Sequence, residues 1–109
     1  MNVEQNRRDF IAALRSGDYP QGKDRLFNPD TECYCVFGVA EHLALKWKSS
    51  RHCPSRETIA WLGLELHDPH NWASNDLVTE LIEANDLGRM TFEEMADMLE
   101  RLWFSGAVK

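Results

Sequence analysis

Apolar residues recur at helical spacing along most of the chain, and the least polar run gathers the other elements around it. Val36, Val39, Ala40, Leu43, Ala44 and Trp47 follow one another at three- and four-residue intervals, the signature of a helix face. Only Glu41, His42, Lys46 and Lys48 break this apolar surface, so the helix is expected to have neighbours on more than one side. Phe37, Leu43 and Trp47 are expected to pack on the last helix through Leu99 and Trp103. Immediately before it, Cys33 to Phe37 is aromatic and β-branched, a short buried strand that runs into the helix.

The flanking segments fall into place on the same reasoning. Val3, Arg7, Phe10, Ile11 and Leu14 share one face of a surface helix, which Gly17 closes; Tyr19-Pro20-Gln21-Gly22 cannot extend it, because proline lacks the amide hydrogen. Arg25 to Phe27, a turn at Asn28-Pro29-Asp30-Thr31, and Glu32 to Cys35 read as a hairpin. A lone two-stranded hairpin is marginal in water, so it must lie on helices or find a third strand. Ser55 caps a short helix holding Ile59, Trp61 and Leu62, and Gly63 ends it. Leu64 to Ser74 is an irregular stretch with Trp72 turned inward. Ser74 or Asn75 caps a helix over Asp76 to Ala84, and Leu77, Val78, Leu81 and Ile82 form its stripe. The last helix is the clearest: Thr91 and Glu94 make a capping box and Met90 and Met95 a hydrophobic staple, and Phe92, Met95, Ala96, Leu99, Leu102 and Trp103 repeat at helical spacing. Ser105 to Lys109 is expected to fray. The expected architecture is α+β: about five helices around a central buried helix, with a small antiparallel β-hairpin, in a single globular domain over residues 1–109.

Composition narrows the class. A chain of 109 residues is long enough to bury a core without disulfides, and three cysteines are an odd number. No apolar leader is read before Val3 and no run approaches the length of a membrane span, so a cytoplasmic protein, monomeric or a small homo-oligomer, is expected. The charge is uneven. Residues 76–101 hold eight acids and two bases, a net −6 that equals the charge of the whole chain. Such a segment repels phosphate and argues against direct nucleic-acid binding; a basic protein surface suits it better.

Several short patterns, taken in order, resemble small, largely uncharacterised proteins of tailed phages and prophages. They are Ala13-Leu14-Arg15-Ser16-Gly17-Asp18-Tyr19 with Gln21-Gly22-Lys23, then Tyr34-Cys35-Val36-Phe37-Gly38-Val39, Trp61-Leu62-Gly63-Leu64, and Asn85-Asp86 with Phe92-Glu93-Glu94-Met95-Ala96-Asp97. The resemblance implies a phage or mobile-element origin and a fold shared along the chain. It brings no assigned activity. The group usually carries two adjacent cysteines where Cys35-Val36 stands here, a departure that counts against a functional pair of thiols.

Candidate chemistry is sparse. Cys33, Cys35, Cys53, His42, His52, His67 and His70 are ligand types for zinc, yet no Cys-x-x-Cys pair exists, and small buried residues with loop histidines are the plainer account. A thiolate at Cys35 with His42 or His70 as base would make an enzyme, but an apolar setting raises a thiol's pKa and blunts it. No catalytic residue, metal or cofactor is therefore assigned. Ser16 to Lys23 has the glycines of a phosphate cradle without the spacing or the preceding strand of a nucleotide loop. Tyr19, Gln21, Lys23, Arg25 and Tyr34 form a candidate site for a nucleotide signal, against a purely structural loop. Glu80, Glu83, Glu93, Glu94, Asp97 and Glu100 fall on the polar sides of the last two helices, as a solvated face or as a surface for a basic partner. The leading expectation joins the phage origin to that surface: a non-enzymatic accessory protein that binds and inhibits a host defence component, such as a CRISPR nuclease complex, in the infected cell.

Overall fold

A computed structural model describes residues 2–68 and 71–105, apart from the side chains of Trp72 and Ser105. The expectations for Trp72, for His70 and for the tail beyond Ser105 lie outside the described residues. Helix α1, Val3–Ser16, starts on Asn2, whose Oδ1 accepts from Gln5 N at 3.0 Å, and ends at Gly17 with φ +81°. Strands β1, Phe27–Asn28, and β2, Cys33–Tyr34, pair antiparallel with Phe27 opposite Tyr34. They are shorter than the sequence predicts. Glu32 takes a left-handed φ of +56° inside the turn, and Cys35 is already the N-cap of the next helix. The hairpin gains both supports it needs: Gln21 bridges Tyr34 in parallel as a third, single-residue strand, and β2 lies on the helix that follows it.

That helix, α2, Val36–Leu45, is central as expected, with α1, α3 and α4 against it. Val36, Phe37, Val39 and Ala40 are fully buried. Gly38 explains how closely it seats: a Cβ there would collide with the carbonyl oxygen and carbon of Leu26. Two expectations fail here. The helix stops at Leu45, where Lys46 turns left-handed and its N–H reaches His42 O, so Trp47 never joins the buried face and stands 58% exposed between two lysines. The last helix packs mainly on α1, not on α2, and Leu43 is only half buried.

Helix α3, Arg56–Trp61, is capped by Ser55; its C-terminal carbonyls are gripped from α1, where Arg7 Nε donates to Leu62 O at 2.7 Å and Asn6 Nδ2 to Trp61 O at 2.8 Å. After a 3-10 turn, Trp72–Ser74, Asn75 caps α4, Asp76–Asp86. Thr91 and Glu94 form the capping box of α5, Phe92–Glu100, which runs into a π-helical turn, Arg101–Ser105. Arg7 lies 4.5 Å from the centre of the Trp103 ring and Arg8 4.3 Å from that of Phe104, which covers this turn with cations from α1. Phe10, Leu26, Phe37, Ile59, Leu81 and Leu99 draw the core from nearly every element.

Because the Gly38 contact is backbone against backbone, neither side can rotate away. Gly38→Ala is expected to destabilise the fold by about 3 kcal/mol or more, read as a fall in the urea midpoint; a midpoint equal to the parent's would refute the close seating of α2.

Candidate functional site

The loop proposed to hold a nucleotide is largely spent on the fold. Gln21 Nε2 donates to Asn85 Oδ1 at 3.1 Å and to Met90 O at 3.0 Å, while its Oε1 accepts from Phe92 N, at the start of α5, at 3.0 Å. Asn85, itself 1% exposed, returns Nδ2 to Gly22 O at 2.9 Å and to Asp86 Oδ1 at 3.0 Å, and Asp86 Oδ1 also accepts from Asp24 N. Gly22 is pressed on β2, where a Cβ would come within 2.7 Å of Cys33 Cβ. The Gln21-Gly22 and Asn85-Asp86 patterns, 60-odd residues apart in sequence, are thus two halves of one polar clasp. Tyr34 is buried, with Tyr19 edge-on at 4.9 Å, and the Tyr19 hydroxyl is bonded to His42 Nδ1 at 2.9 Å. Lys23 and Arg25 are exposed, and Lys23 borders a cleft of about 280 Å³ with Gly88, Thr91 and Glu94. Of the five residues, Tyr19 and Gln21 spend their polar groups on bonds within the fold, whereas Lys23 and Arg25 stay exposed.

Electrostatics follow burial. Burial first, then the charges of Lys48 and Lys46, hold the His42 pKa below its ordinary value. Burial, with smaller contributions from Tyr34 and Asp18, raises that of Tyr19. The Cys35 thiol, buried at the start of α2, is pushed up to about 12, chiefly by burial. It shares with His52 the wall of a void of only about 10 Å³, room for one water. Cys33 and Cys53 are half buried and all three thiols are free. Among the described residues no group of three or more His, Cys, Asp or Glu side chains is placed to hold a metal ion.

The six acids on α4 and α5 are all exposed. They are not equivalent. Arg15 of α1 donates Nη2 to Asp97 Oδ1 at 2.7 Å and to Glu100 Oε1 at 2.8 Å, which raises the arginine's own pKa through those hydrogen bonds. Glu94 Oε1 accepts from Thr91 N in the capping box. Among the described residues, Glu80, Glu83 and Glu93 make no such bond.

Sequence reasoning missed a different feature. Between the end of α2 and the start of α3 lies a cleft of about 420 Å³ lined by Leu45, Trp47, Arg51, Ser55 and Glu57. Behind it, Glu41 is 1% exposed; its Oε1 accepts from Ser55 N and Thr58 Oγ1, each at 3.1 Å, and its Oε2 has no hydrogen-bond partner. Arg51 Nη2 stands 4.0 Å from that oxygen. The signal lay in Lys46-Trp47-Lys48, where flanking charges contradict burial of the tryptophan.

A family model described as a domain of unknown function, DUF8296, matches residues 1–103. The chain belongs to this family. No curated protein and no solved structure matches it. Among the described residues, no helix is long and apolar enough to cross a membrane.

Two outcomes test this description. Asn85→Ala would remove the partner of the half-buried Gly22 carbonyl and one of the two acceptors of Gln21 Nε2, and would leave a gap where a buried side chain stood; a loss of about 1–3 kcal/mol is expected by urea unfolding, and a neutral result would remove the clasp from the fold's essentials. For Cys35 the raised pKa keeps the folded thiol neutral, whereas the unfolded thiol ionises near its ordinary value of 9.0. The stability that this neutral thiol contributes is therefore present below that value and falls as pH rises through the interval up to about 12. At about pH 8 a thiol reagent should label Cys33 and Cys53 well before Cys35; equal rates would show the thiol to be open.

Proposed function

We propose that the protein acts without catalysis, as a binding module whose acidic helices α4 and α5 seat on a basic surface of a partner protein. The observation that carries this reading is the exposure of Glu80, Glu83, Glu93, Glu94, Asp97 and Glu100 on one acidic stretch, with Arg15 of α1 bound to the last two. Like charges on neighbouring turns repel and cost stability, and a basic partner would convert that cost into attraction. The resemblance to phage proteins makes a host defence component, such as a CRISPR nuclease complex, the expected partner, with inhibition as the outcome and the infected cell's cytoplasm as the setting.

The internal ion pairs decide which residues test it. Reversing Asp97 or Glu100 would set a lysine against Arg15 and confuse folding with binding, so the informative variant is Glu80→Lys with Glu83→Lys and Glu93→Lys. Its melting temperature is expected to match the parent's. Capture of partner proteins from host lysate, identified by mass spectrometry, should be lost in the variant, and in the parent at about 0.5 M salt, where the Debye length falls to roughly 4 Å. Capture of the same protein by parent and variant alike would defeat the proposal.

A further inference from the structure

We propose that the cleft between α2 and α3 is a binding site for a guanine nucleotide, with Trp47 as the stacking surface, Arg51 as the phosphate ligand and Glu57 as the reader of the base. The site is separate from the acidic helices, and the loop that leads into it is basic, while the cleft itself is lined by one arginine and one glutamate. Residues 46–53 carry Lys46, Lys48 and Arg51 and no acid, in a chain whose net charge is −6.

Arg51 is held where an anion would need it. Its carbonyl accepts from Leu26 N at 2.8 Å, which fixes the backbone. Its guanidinium is drawn toward the buried Glu41, whose Oε2 accepts no hydrogen bond among the described residues and has the Arg51 guanidinium 4.0 Å away, and a buried carboxylate demands a counter-charge. The pull orients one edge of the guanidinium inward, while the side chain remains 55% exposed and keeps donors free for an oxyanion. Glu41 is thus a positioning residue for Arg51.

The rest of the cleft selects what accompanies the anion. Trp47 projects from the chain just beyond the left-handed Lys46, 58% exposed, and its flat ring offers the kind of surface on which bases stack. Leu45 adds an apolar wall, and a volume of about 420 Å³ lies within the range of small-ligand sites. Glu57 is acceptor-only when ionised, so it repels a phosphate and favours a group that presents hydrogen-bond donors. Among the bases, guanine presents two side by side on one edge, N1–H and the N2 amino group, a fork that a carboxylate can accept. Adenine offers one amino group on that edge. Ser55 contributes little to the choice, because its hydroxyl caps α3 through Thr58 N at 3.2 Å.

The shared chemistry, a stacked guanine with a phosphate, has two sources: a free nucleotide or a guanine within a single strand. Titration calorimetry of the full chain with GMP, AMP and a guanine-containing RNA pentamer distinguishes them. GMP should bind saturably and at least about tenfold more tightly than AMP. Trp47→Ala, at an exposed position and checked for an unchanged melting temperature, and Arg51→Gln, checked to remain folded because it also removes the counter-charge of Glu41, should each weaken GMP by about tenfold or more. Glu57→Gln should erase the preference over AMP while retaining a folded protein. Tighter binding of the pentamer than of GMP, lost in the same variants, would assign the site to a strand. No heat with GMP up to about 5 mM, equal binding of GMP and AMP by the parent, or GMP affinity indifferent to Trp47→Ala and Arg51→Gln would each overturn the assignment.

Discussion

The backbone of Leu26 is the point on which the architecture turns. Its carbonyl accepts from Cys35 N at 3.1 Å, its amide donates to Arg51 O at 2.8 Å, and the start of α2 lies against it because Gly38 has no side chain. One residue thus joins the chain before the hairpin, the first turn of the central helix and the loop that returns from that helix's far end. A two-residue ladder has almost no stability of its own. Here it persists because Leu26, 1% exposed, is anchored on both sides by main-chain bonds that no side-chain substitution can replace. The same bond that fixes the hairpin also fixes Arg51, so the geometry of the α2–α3 cleft is inherited from the core.

Polar burial is confined to a few places and joins remote segments there. Glu41, Thr58 and Asn85 are the buried polar side chains among the described residues. Asn85 ties α4 to the loop after α1, and Gln21 extends that tie to the first amide of α5. Apolar contacts alone would let such a loop take up several near-equivalent positions. Directional bonds in a low dielectric penalise every arrangement but one, because a displaced donor or acceptor is left unpaired. Glu41 and Thr58 perform the corresponding service between α2 and α3, with one carboxylate oxygen left over.

The local grammar of the chain was legible. Ser55, Asn75 and Thr91 cap the helices they precede, Gly17 closes α1, and the capping box at Thr91 and Glu94 is present in full. These signals act within a few residues, so a sequence displays them whole. What failed depended on distance. The periodicity through Trp47 is real, but a helix end is set by where the neighbouring elements stop, and α2 ends two residues short of it. Phe92, Met95, Ala96 and Leu99 marked the inward face of α5 without saying whether α1 or α2 would receive it. The same limit hid the sites. Gln21 read as a ligand group because its partners, Asn85, Met90 and Phe92, are contributed from far along the chain. Arg51 carried no mark of its own because Glu41, the group that holds it, stands ten residues earlier on the central helix.

Charge on this molecule is organised by region, and net charge is a poor guide to either face. The acids of α4 and α5 would repel a phosphate group that approached them, yet His42 reports a different field at the end of α2. Beyond burial, the charges that depress its pKa are Lys48 and Lys46, with no carboxylate among the causes. The sign of the potential there is set by the adjacent loop. Screening makes this general: with a Debye length of about 8 Å at physiological salt, an exposed charge governs its own neighbourhood and little beyond it. A chain of net −6 can therefore carry an acidic surface on α4 and α5 and, elsewhere, a loop with Lys46, Lys48 and Arg51 beside a cleft lined by one arginine and one glutamate, because each ligand would meet only the charges within reach.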